Sequence, residues 1–163
     1  CALPICFRIQ EKVLSLGGRF AIYDQSGEVA YEVEGGFLRF PKTFTIYDTS
    51  GQVVSRLEKH MVSLLPKFDV ILQNGRTFTI QKDWSLFKPH YSIEALGLEV
   101  EGNFWEMDFR LLANGTEVTT ISQEWLRLTS TYNITVYDDS YADLVISLVI
   151  AIDYVKELEN AAN

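Results

Sequence analysis

Few residues of this chain have the types and the spacing that catalysis or metal binding requires. The two histidines, His60 and His90, belong to neither an H-x-x-x-H nor an H-E-x-x-H pair, which would place two zinc ligands on one helix face. The sequence also lacks G-x-S-x-G, G-x-G-x-x-G, P-loop and C-x-x-C motifs. We therefore predict a non-enzymatic protein with no catalytic residue, no cofactor and no metal site. We expect both histidines at the surface or in turns.

Three aspartates lie close together where an apolar segment begins near the C-terminus. They are Asp138, Asp139 and Asp143. Negative charge at the start of a helix is stabilised by the helix dipole, and the D-x-D-x-D-G order of a calcium loop is missing. We interpret the cluster as helix capping in preference to a cation site. Ser140 and Asp143 resemble a capping box, which predicts a helix that starts near Tyr141.

Aromatic rings beside lysines indicate contact with a surface. The stretch KDWSLFKP contains Lys82, Trp84, Phe87 and Lys88. Amphipathic rings and cations together favour the headgroup layer of a membrane. We predict that these four residues form a membrane-contact rim. The alternative is that the tryptophan packs at the end of the fold, as the other two tryptophans of the chain could do.

The charge of the chain argues against one class of partner. The formal net charge is −8 and the isoelectric point is near 4.7, whereas nucleic-acid binding needs clustered Lys and Arg. Residues 1–82 contain ten Lys/Arg and eight Asp/Glu, and residues 83–163 contain four and fourteen. We predict no nucleic-acid partner. The asymmetry favours the N-terminal half as the side that faces an anionic surface, with ordinary solvated faces as the alternative.

An internal repeat indicates the fold. The segments RFAIYDQSGEVAYEVEG, TFTIYDTSGQVVSRLEK and KFDVILQNGRTFTIQKD align with a shift of 24 residues, so that their aromatics and glycines coincide. The second residue of each is aromatic and is followed two positions later by an aliphatic residue, which places both side chains on one face of a strand. The segments DQSG, DTSG, QNG and ANG are typical of tight turns, so the repeats predict hairpins.

Continuing this pattern predicts about twelve strands. A meander of that length avoids exposed sheet edges by closing, so we predict a mainly β protein, a closed antiparallel barrel, as a single domain over residues 1–163. The predicted strands are 6–13, 19–24, 28–34, 43–48, 52–59, 67–72, 77–82, 90–95, 98–102, 107–112, 117–123 and 131–137.

A barrel of about twelve strands leaves a central space that must be filled. The segment ADLVISLVIAIDYVKE predicts a helix over about 141–158 with apolar residues on every side, as expected for a helix buried all round. We predict that it lies at the centre of the barrel. It is too short an apolar run for a membrane span, which needs about 20 residues. Its central residues are predicted to be Leu144, Val145, Leu148, Val149, Ile152 and Asp153.

The carboxylate within this helix requires an explanation. A buried and unpaired carboxylate would cost several kcal/mol. We therefore expect Asp153 either to lie at the mouth of the barrel or to meet a partner, and we favour structural pairing.

Several phrases together resemble one family. They are the repeated IYD.SG.V, LLPKFDV, LFKPHYSIEALGLEVEGNFWEMDF, ISQEWL and ADLVISLVIAIDYV, between Phe7 and Glu157. They resemble the LURP-one-related family, in particular its bacterial YxjI-like branch, which is similar to the tubby C-terminal domain and to phospholipid scramblases. The resemblance implies a twelve-stranded barrel around a hydrophobic C-terminal helix. Its relatives suggest contact with phosphoinositides or other lipids.

These observations together predict a binding or scaffold module that contacts membrane phospholipid or a protein partner. Cys1 and Cys6 are too close in sequence to crosslink the body of the fold, which favours a reduced, cytoplasmic setting with peripheral membrane contact. We interpret the initial CALPIC as a trimmed or mis-started N-terminus. The alternatives are a carrier of a small apolar ligand in the barrel lumen and, with the least support, an enzyme of unknown class.

Overall fold

A computed structural model describes residues 3–10, 18–35, 43–59, 67–82, 89–91, 97–126 and 129–162. Within these ranges twelve strands form one antiparallel sheet, followed by a short 3₁₀ turn at Asp139–Tyr141 and a long helix. The elements are β1 Ile5–Gln10, β2 Gly18–Asp24, β3 Val29–Gly35, β4 Thr43–Asp48, β5 Val53–Lys59, β6 Lys67–Leu72, β7 Thr77–Lys82, β8 Pro89–Tyr91, β9 Leu98–Asn103, β10 Asp108–Ala113, β11 Thr116–Leu126, β12 Thr129–Val136 and α1 Ala142–Ala162.

Neighbouring strands of the sheet follow the chain order with one exception, the pairing of β1 with β12. The order is β8-β7-β6-β5-β4-β3-β2-β1-β12-β11-β10-β9. This confirms a mainly β fold built from antiparallel hairpins with a C-terminal helix. Among the described residues no pairing joins the two end strands, β8 and β9, so these pairings do not themselves close the sheet.

The repeated turns owe their shape to one side chain and one glycine. The Asp24 carboxylate accepts hydrogen bonds from the backbone N–H groups of Ser26 and Glu28, at 2.9 and 3.1 Å. Gly27 then takes a φ of 81°, which a residue with a side chain rarely adopts. The hydrogen bonds to this carboxylate lower the pKa of Asp24, the bond from the Ser26 hydroxyl most. The turn after β4 repeats the arrangement with Asp48, Ser50, Gln52 and Gly51.

The repeated aromatic and aliphatic positions form the inner face of the sheet, as their spacing predicts. Phe44 and Phe68 are buried, and so are Ile46 and Val70 two positions after them. Thr45, between the first pair, is half-exposed. The inner face therefore supplies a continuous apolar core.

The helix α1 is buried on every side over most of its length. Every residue from Leu144 to Val155 is buried, which includes all the predicted central positions. The Tyr154 ring packs edge-on against Phe44 at 4.4 Å and Phe68 at 5.0 Å between ring centroids. The helix runs from 142 to 162 where 141–158 was predicted. In the part of the chain that the structure describes, no helix has the length and apolarity to cross a membrane.

The predicted capping box is wrong. Asp138 caps the 3₁₀ turn instead, accepting hydrogen bonds from the backbone N–H of Ser140 at 3.1 Å and from its hydroxyl at 2.6 Å. The Asp143 carboxylate is bonded to Tyr31. The short turn inserts between cap and helix, so α1 begins at Ala142.

Candidate functional site

Polar side chains on α1 are bonded to the sheet at three levels. The Asp143 carboxylate accepts a hydrogen bond from the Tyr31 hydroxyl of β3 at 2.7 Å. One turn further on, Ser147 Oγ lies 2.6 Å from Ser55 Oγ of β5. The third contact joins the Tyr132 hydroxyl of β12 to the Asp153 carboxylate. These bonds fix both the rotation and the depth of an otherwise apolar helix.

The first of these contacts lies near the start of α1. Burial, followed by the bond to the neighbouring carboxylate, raises the pKa of the Tyr31 phenol well above its usual value. Tyr31 therefore stays a neutral donor at physiological pH. The ring of Phe7 on β1 packs edge-on against it at 5.6 Å between centroids.

The third contact decides between the two expectations for the buried carboxylate. Asp153 is fully buried, so its placement at an exposed mouth is wrong, and the alternative of a partner holds. The ring of that partner, Tyr132, also has the ammonium of Lys156 at 5.9 Å from its centroid. Asp153 is thus part of a small polar cluster with Tyr132 and Lys156 near the middle of α1.

The predicted membrane-contact rim lies mostly outside the described residues. Trp84, Phe87 and Lys88 fall there, while Lys82 ends β7, where its backbone pairs with Pro89. Of the histidines, His60 is outside and His90 lies in β8. The grouping of the four rim residues therefore stays a prediction.

The backbones of the other two tryptophans lie within the described residues. Trp105 is half-buried and packs edge-on against Phe104 at 5.3 Å, which agrees with packing at the end of the fold. Trp125 lies within β11.

The acidic cluster has structural partners. Asp138 caps the turn and Asp143 accepts from Tyr31, so the capping interpretation of this cluster is partly confirmed, with different bonds from those predicted. Across the described ranges, no three His, Cys, Asp or Glu side chains are grouped as metal ligands.

A cleft opens where β1 and β2 diverge. Among the described residues, which leave out 11–17, β1 and β2 pair at Phe7 with Asp24 and at Arg8 with Tyr23, whereas β1 pairs with β12 at six positions. The cleft has a volume of about 780 Å³, a size typical of ligand sites. Its outer wall carries polar groups and its inner wall carries apolar ones. The outward-facing lining residues include Cys6, Arg8, Ala21, Asn133 and Thr135, and the inward-facing ones Ile9, Phe20 and Ile134.

Most of the sequence matches one protein family. A family model described as LURP-one-related matches residues 5–153. The chain belongs to the LURP-one-related family.

One relative and one solved structure are similar to this LURP-one-related chain over most of its length. It is 24% identical over 145 residues to the uncharacterized protein YxjI of Bacillus subtilis (strain 168), which covers 88% of each chain. An X-ray structure of a protein from Arabidopsis thaliana matches with a TM-score of 0.64 and 19% identity, over 94% of this chain and 91% of that one. The second likeness shows the shared fold. The wider resemblance to the tubby domain and to scramblases stays a prediction.

Sequence reasoning missed the cleft in this LURP-one-related fold. The prediction placed strands at 6–13 and 19–24, of which residues 11–13 lie outside the described residues, and it did not foresee that β1 pairs with β12 at six positions. One available signal was the outward series Thr131, Asn133 and Thr135 on β12, since polar residues there form a hydrogen-bonding surface. No local pattern indicates that two consecutive strands diverge.

Proposed function

We propose that the chain is a non-enzymatic binding module whose partner, a protein or a lipid, contacts its outer surface. One observation carries this proposal: three polar side chains of α1, Asp143, Ser147 and Asp153, are bonded to the sheet, while a cleft of about 780 Å³ opens on the outside between β1 and β2. Polar groups that hold a helix in place are not free to act on a substrate. The cleft offers both polar and apolar groups to a partner.

Binding at the surface is favoured over carriage of an apolar ligand in the lumen. The interior space that a carrier would need is occupied by α1, whose residues from Leu144 to Val155 are buried. Native mass spectrometry of the purified chain tests this directly. We expect the mass of the chain alone, and a stoichiometric apolar ligand that copurifies would favour the carrier instead.

We also propose that the sheet closes into a barrel around α1. The support is that β8 and β9 follow each other in the chain and that α1 is buried on every side. Amide hydrogen exchange tests the closure at β9. Amides of Leu98–Asn103 that face away from β10 should be protected if β8 and β9 pair. Exchange of those amides at the rate of an open edge would contradict closure.

A peripheral lipid contact is the second candidate partner. It is supported by the charge difference between residues 1–82 and 83–163, and by the two lysines and two aromatics of the predicted rim. Cosedimentation with vesicles that contain phosphatidylserine or a phosphoinositide tests it at low and at physiological ionic strength. Because each nearby charge contributes about 1 kcal/mol and Lys88→Glu changes the charge by two, Trp84→Ala/Lys88→Glu should weaken binding at least tenfold, and salt should weaken the binding of the wild type.

A matched variant controls for the change in total charge. Tyr137→Ala/Arg76→Glu also replaces one aromatic residue with alanine and one cation with glutamate, at exposed positions outside the rim. It should bind vesicles nearly as the wild type does. Equal losses for both double variants would show that total charge, and not the rim, governs the contact. If neither vesicles nor random peptides displayed on phage bind the chain, the proposal of a surface binding module fails.

A further inference from the structure

We infer that a pocket between α1 and the strands β10 and β11 binds a small zwitterion, a molecule that carries a primary ammonium together with a carboxylate or phosphate. The pocket has a volume of about 420 Å³, which suits a small ligand. No described residue lines both this pocket and the cleft between β1 and β2, so the site goes beyond the proposed surface contact. Its lining is Trp105, Glu106, Asp108, Ser122, Gln123 and Lys156.

One wall of the pocket is a turn that the core holds in place. The turn joins β9 to β10 and buries the side chains of Phe104 and Met107. The Trp105 ring packs edge-on against Phe104 at 5.3 Å between centroids. The backbone N–H of Glu106 donates a hydrogen bond to Asn103 Oδ1 at 3.3 Å. A fixed backbone therefore carries the Trp105 ring and the Glu106 carboxylate at the pocket.

The inner side of the pocket has two donors for which the described residues provide no acceptor. Gln123 is paired with Tyr132 across β11 and β12, so the two side chains share the inner face of the sheet. Gln123 Nε2 is buried, and no described residue accepts a hydrogen bond from it. The Lys156 ammonium lies 5.9 Å from the centroid of the same Tyr132 ring and forms no ion pair with a described residue. A buried donor without an acceptor costs free energy, and an anionic group of a ligand would serve both donors.

The rim of the pocket carries the opposite charge. Glu106 and Asp108 are exposed, and neither carboxylate forms an ion pair with a described residue. Charges of both signs therefore line one pocket without being joined to each other. A ligand with both charges joins them, since its ammonium meets the carboxylates at the rim and its anion meets Lys156 and Gln123 inside.

Ligands with a single charge fit this lining less well. A plain anion would be repelled by the two carboxylates, and a plain cation would be repelled by Lys156 and leave the Gln123 donor without an acceptor. The Trp105 ring offers an apolar face to the carbon atoms between the two charges of the ligand. Free amino acids share this chemistry with the headgroups of phosphatidylethanolamine and phosphatidylserine, so the experiment has to separate the two sources.

Proton–nitrogen NMR of the full chain measures the binding of phosphoethanolamine and of each L-amino acid. The reporter is the side-chain amide of Gln123, which is identified by the loss of its signal in Gln123→Met. We expect at least one of these zwitterions to shift the signal saturably. Analogues that keep only one of the two charges, such as ethyl phosphate and ethanolamine, should bind at least about tenfold more weakly. Equal affinity for a singly charged analogue would overturn the assignment of a zwitterion.

Two variants and a control locate the ligand, with a backbone amide of the pocket as the reporter. Lys156→Met should weaken binding of the zwitterion at least about tenfold. Glu106→Gln should weaken it too, but should strengthen binding of the analogue that lacks the ammonium, because a repelling carboxylate is removed. Glu99→Gln removes the same charge from an exposed position of β9 outside the pocket and should change neither affinity by more than about twofold. Equal effects of Glu106→Gln and Glu99→Gln would overturn the location.

The variant Gln123→Met separates a role in binding from a role in the fold. Because the Gln123 donor has no acceptor among the described residues, the variant should keep or raise the Tm while it weakens binding at least about tenfold. A Tm clearly below that of the wild type would show that the fold itself uses the amide, which would overturn its assignment to a ligand.

Vesicles of phosphatidylethanolamine and phosphatidylcholine distinguish the two sources. Cosedimentation that Lys156→Met abolishes and Trp84→Ala/Lys88→Glu does not, without binding of any free zwitterion, would identify a lipid headgroup as the source. Binding of a free zwitterion would identify a soluble ligand. If neither result is obtained, the inference is overturned, while the proposed surface contact still stands on its own test.

Discussion

The buried hydroxyl pair between β5 and α1 predicts unequal effects for two serine-to-alanine substitutions. Ser147 Oγ donates its single proton to the carbonyl oxygen of Asp143 at 2.7 Å. The 2.6 Å contact between Ser147 and Ser55 is therefore a hydrogen bond that Ser55 donates. Ser147→Ala removes the acceptor of the Ser55 hydroxyl, which is fully buried. Ser55→Ala leaves intact the hydrogen bond that Ser147 donates to the Asp143 carbonyl oxygen.

The magnitudes follow from this asymmetry. A buried donor that loses its acceptor costs about 1–3 kcal/mol, and the higher helix propensity of alanine offsets about 0.5 kcal/mol of that cost. Ser147→Ala should therefore lower the free energy of unfolding by about 0.5–2.5 kcal/mol. Ser55→Ala loses one hydrogen bond, at a net cost of about 0.5–1.5 kcal/mol. The double variant leaves no donor without an acceptor. Its loss of stability should therefore be smaller, by about 1 kcal/mol, than the sum of the losses in the two single variants.

Urea unfolding followed by circular dichroism measures all four proteins of this double-mutant cycle. Wild type, both single variants and the double variant should show equal slopes, so that midpoints report stability. A difference of 1 kcal/mol also corresponds to a shift of roughly 2–4 °C in Tm at this chain length. Additive losses, or a larger loss for Ser55→Ala than for Ser147→Ala, would refute the assigned donor direction.

Three further predictions concern the helix. Removal of residues 140–163 should abolish the cooperative thermal transition, because the core loses its buried helix; a native-like near-ultraviolet spectrum of the truncated chain would contradict this. Ile150→Asp should prevent folding, since it buries a charge among apolar groups at a cost of several kcal/mol, while Asp153→Asn keeps an acceptor for Tyr132 and should cost less; equal Tm losses would speak against it. Burial raises the pKa of Tyr154 to about 12. The folded state thus holds this proton more tightly than the unfolded one, and the associated stability, complete below about pH 10, should fall between pH 10 and 12. Urea midpoints across that range should fall less steeply for Tyr154→Phe, and identical slopes would count against the assignment.

The strands and turns could be predicted from the sequence because their causes are local. An aromatic followed by an aliphatic two positions later defines the inner face of β4 and β6, and both members of each pair are buried. The turns were recognisable because Gly27 and Gly51 follow short polar segments, and both adopt the positive φ expected there. The buried helix was predictable for the same reason, since its composition is apolar on every side.

The features that sequence did not predict depend on contacts between distant residues. The partner of Asp153 is Tyr132, on a strand that its own segment does not indicate. The capping box failed because the Asp143 carboxylate is bonded to Tyr31, 112 positions earlier, while Asp138 supplies the cap. The pairing of β1 with β12 likewise joins the first and the last strand in the sequence, so no local pattern indicates it.

The bonds of α1 explain how the sheet tolerates a cleft in its wall. In the strand order β3-β2-β1-β12, the cleft lies between β2 and β1. The two Tyr–Asp bonds are made by the flanking strands β3 and β12. Tyr31 of β3 holds Asp143, and Tyr132 of β12 holds Asp153, so α1 bridges the inside of the cleft from one flank to the other. Strands β1 and β2 then need not be joined along their length to keep the sheet together. Because both flanks are tied to one rigid helix, the core stays intact beside the cleft.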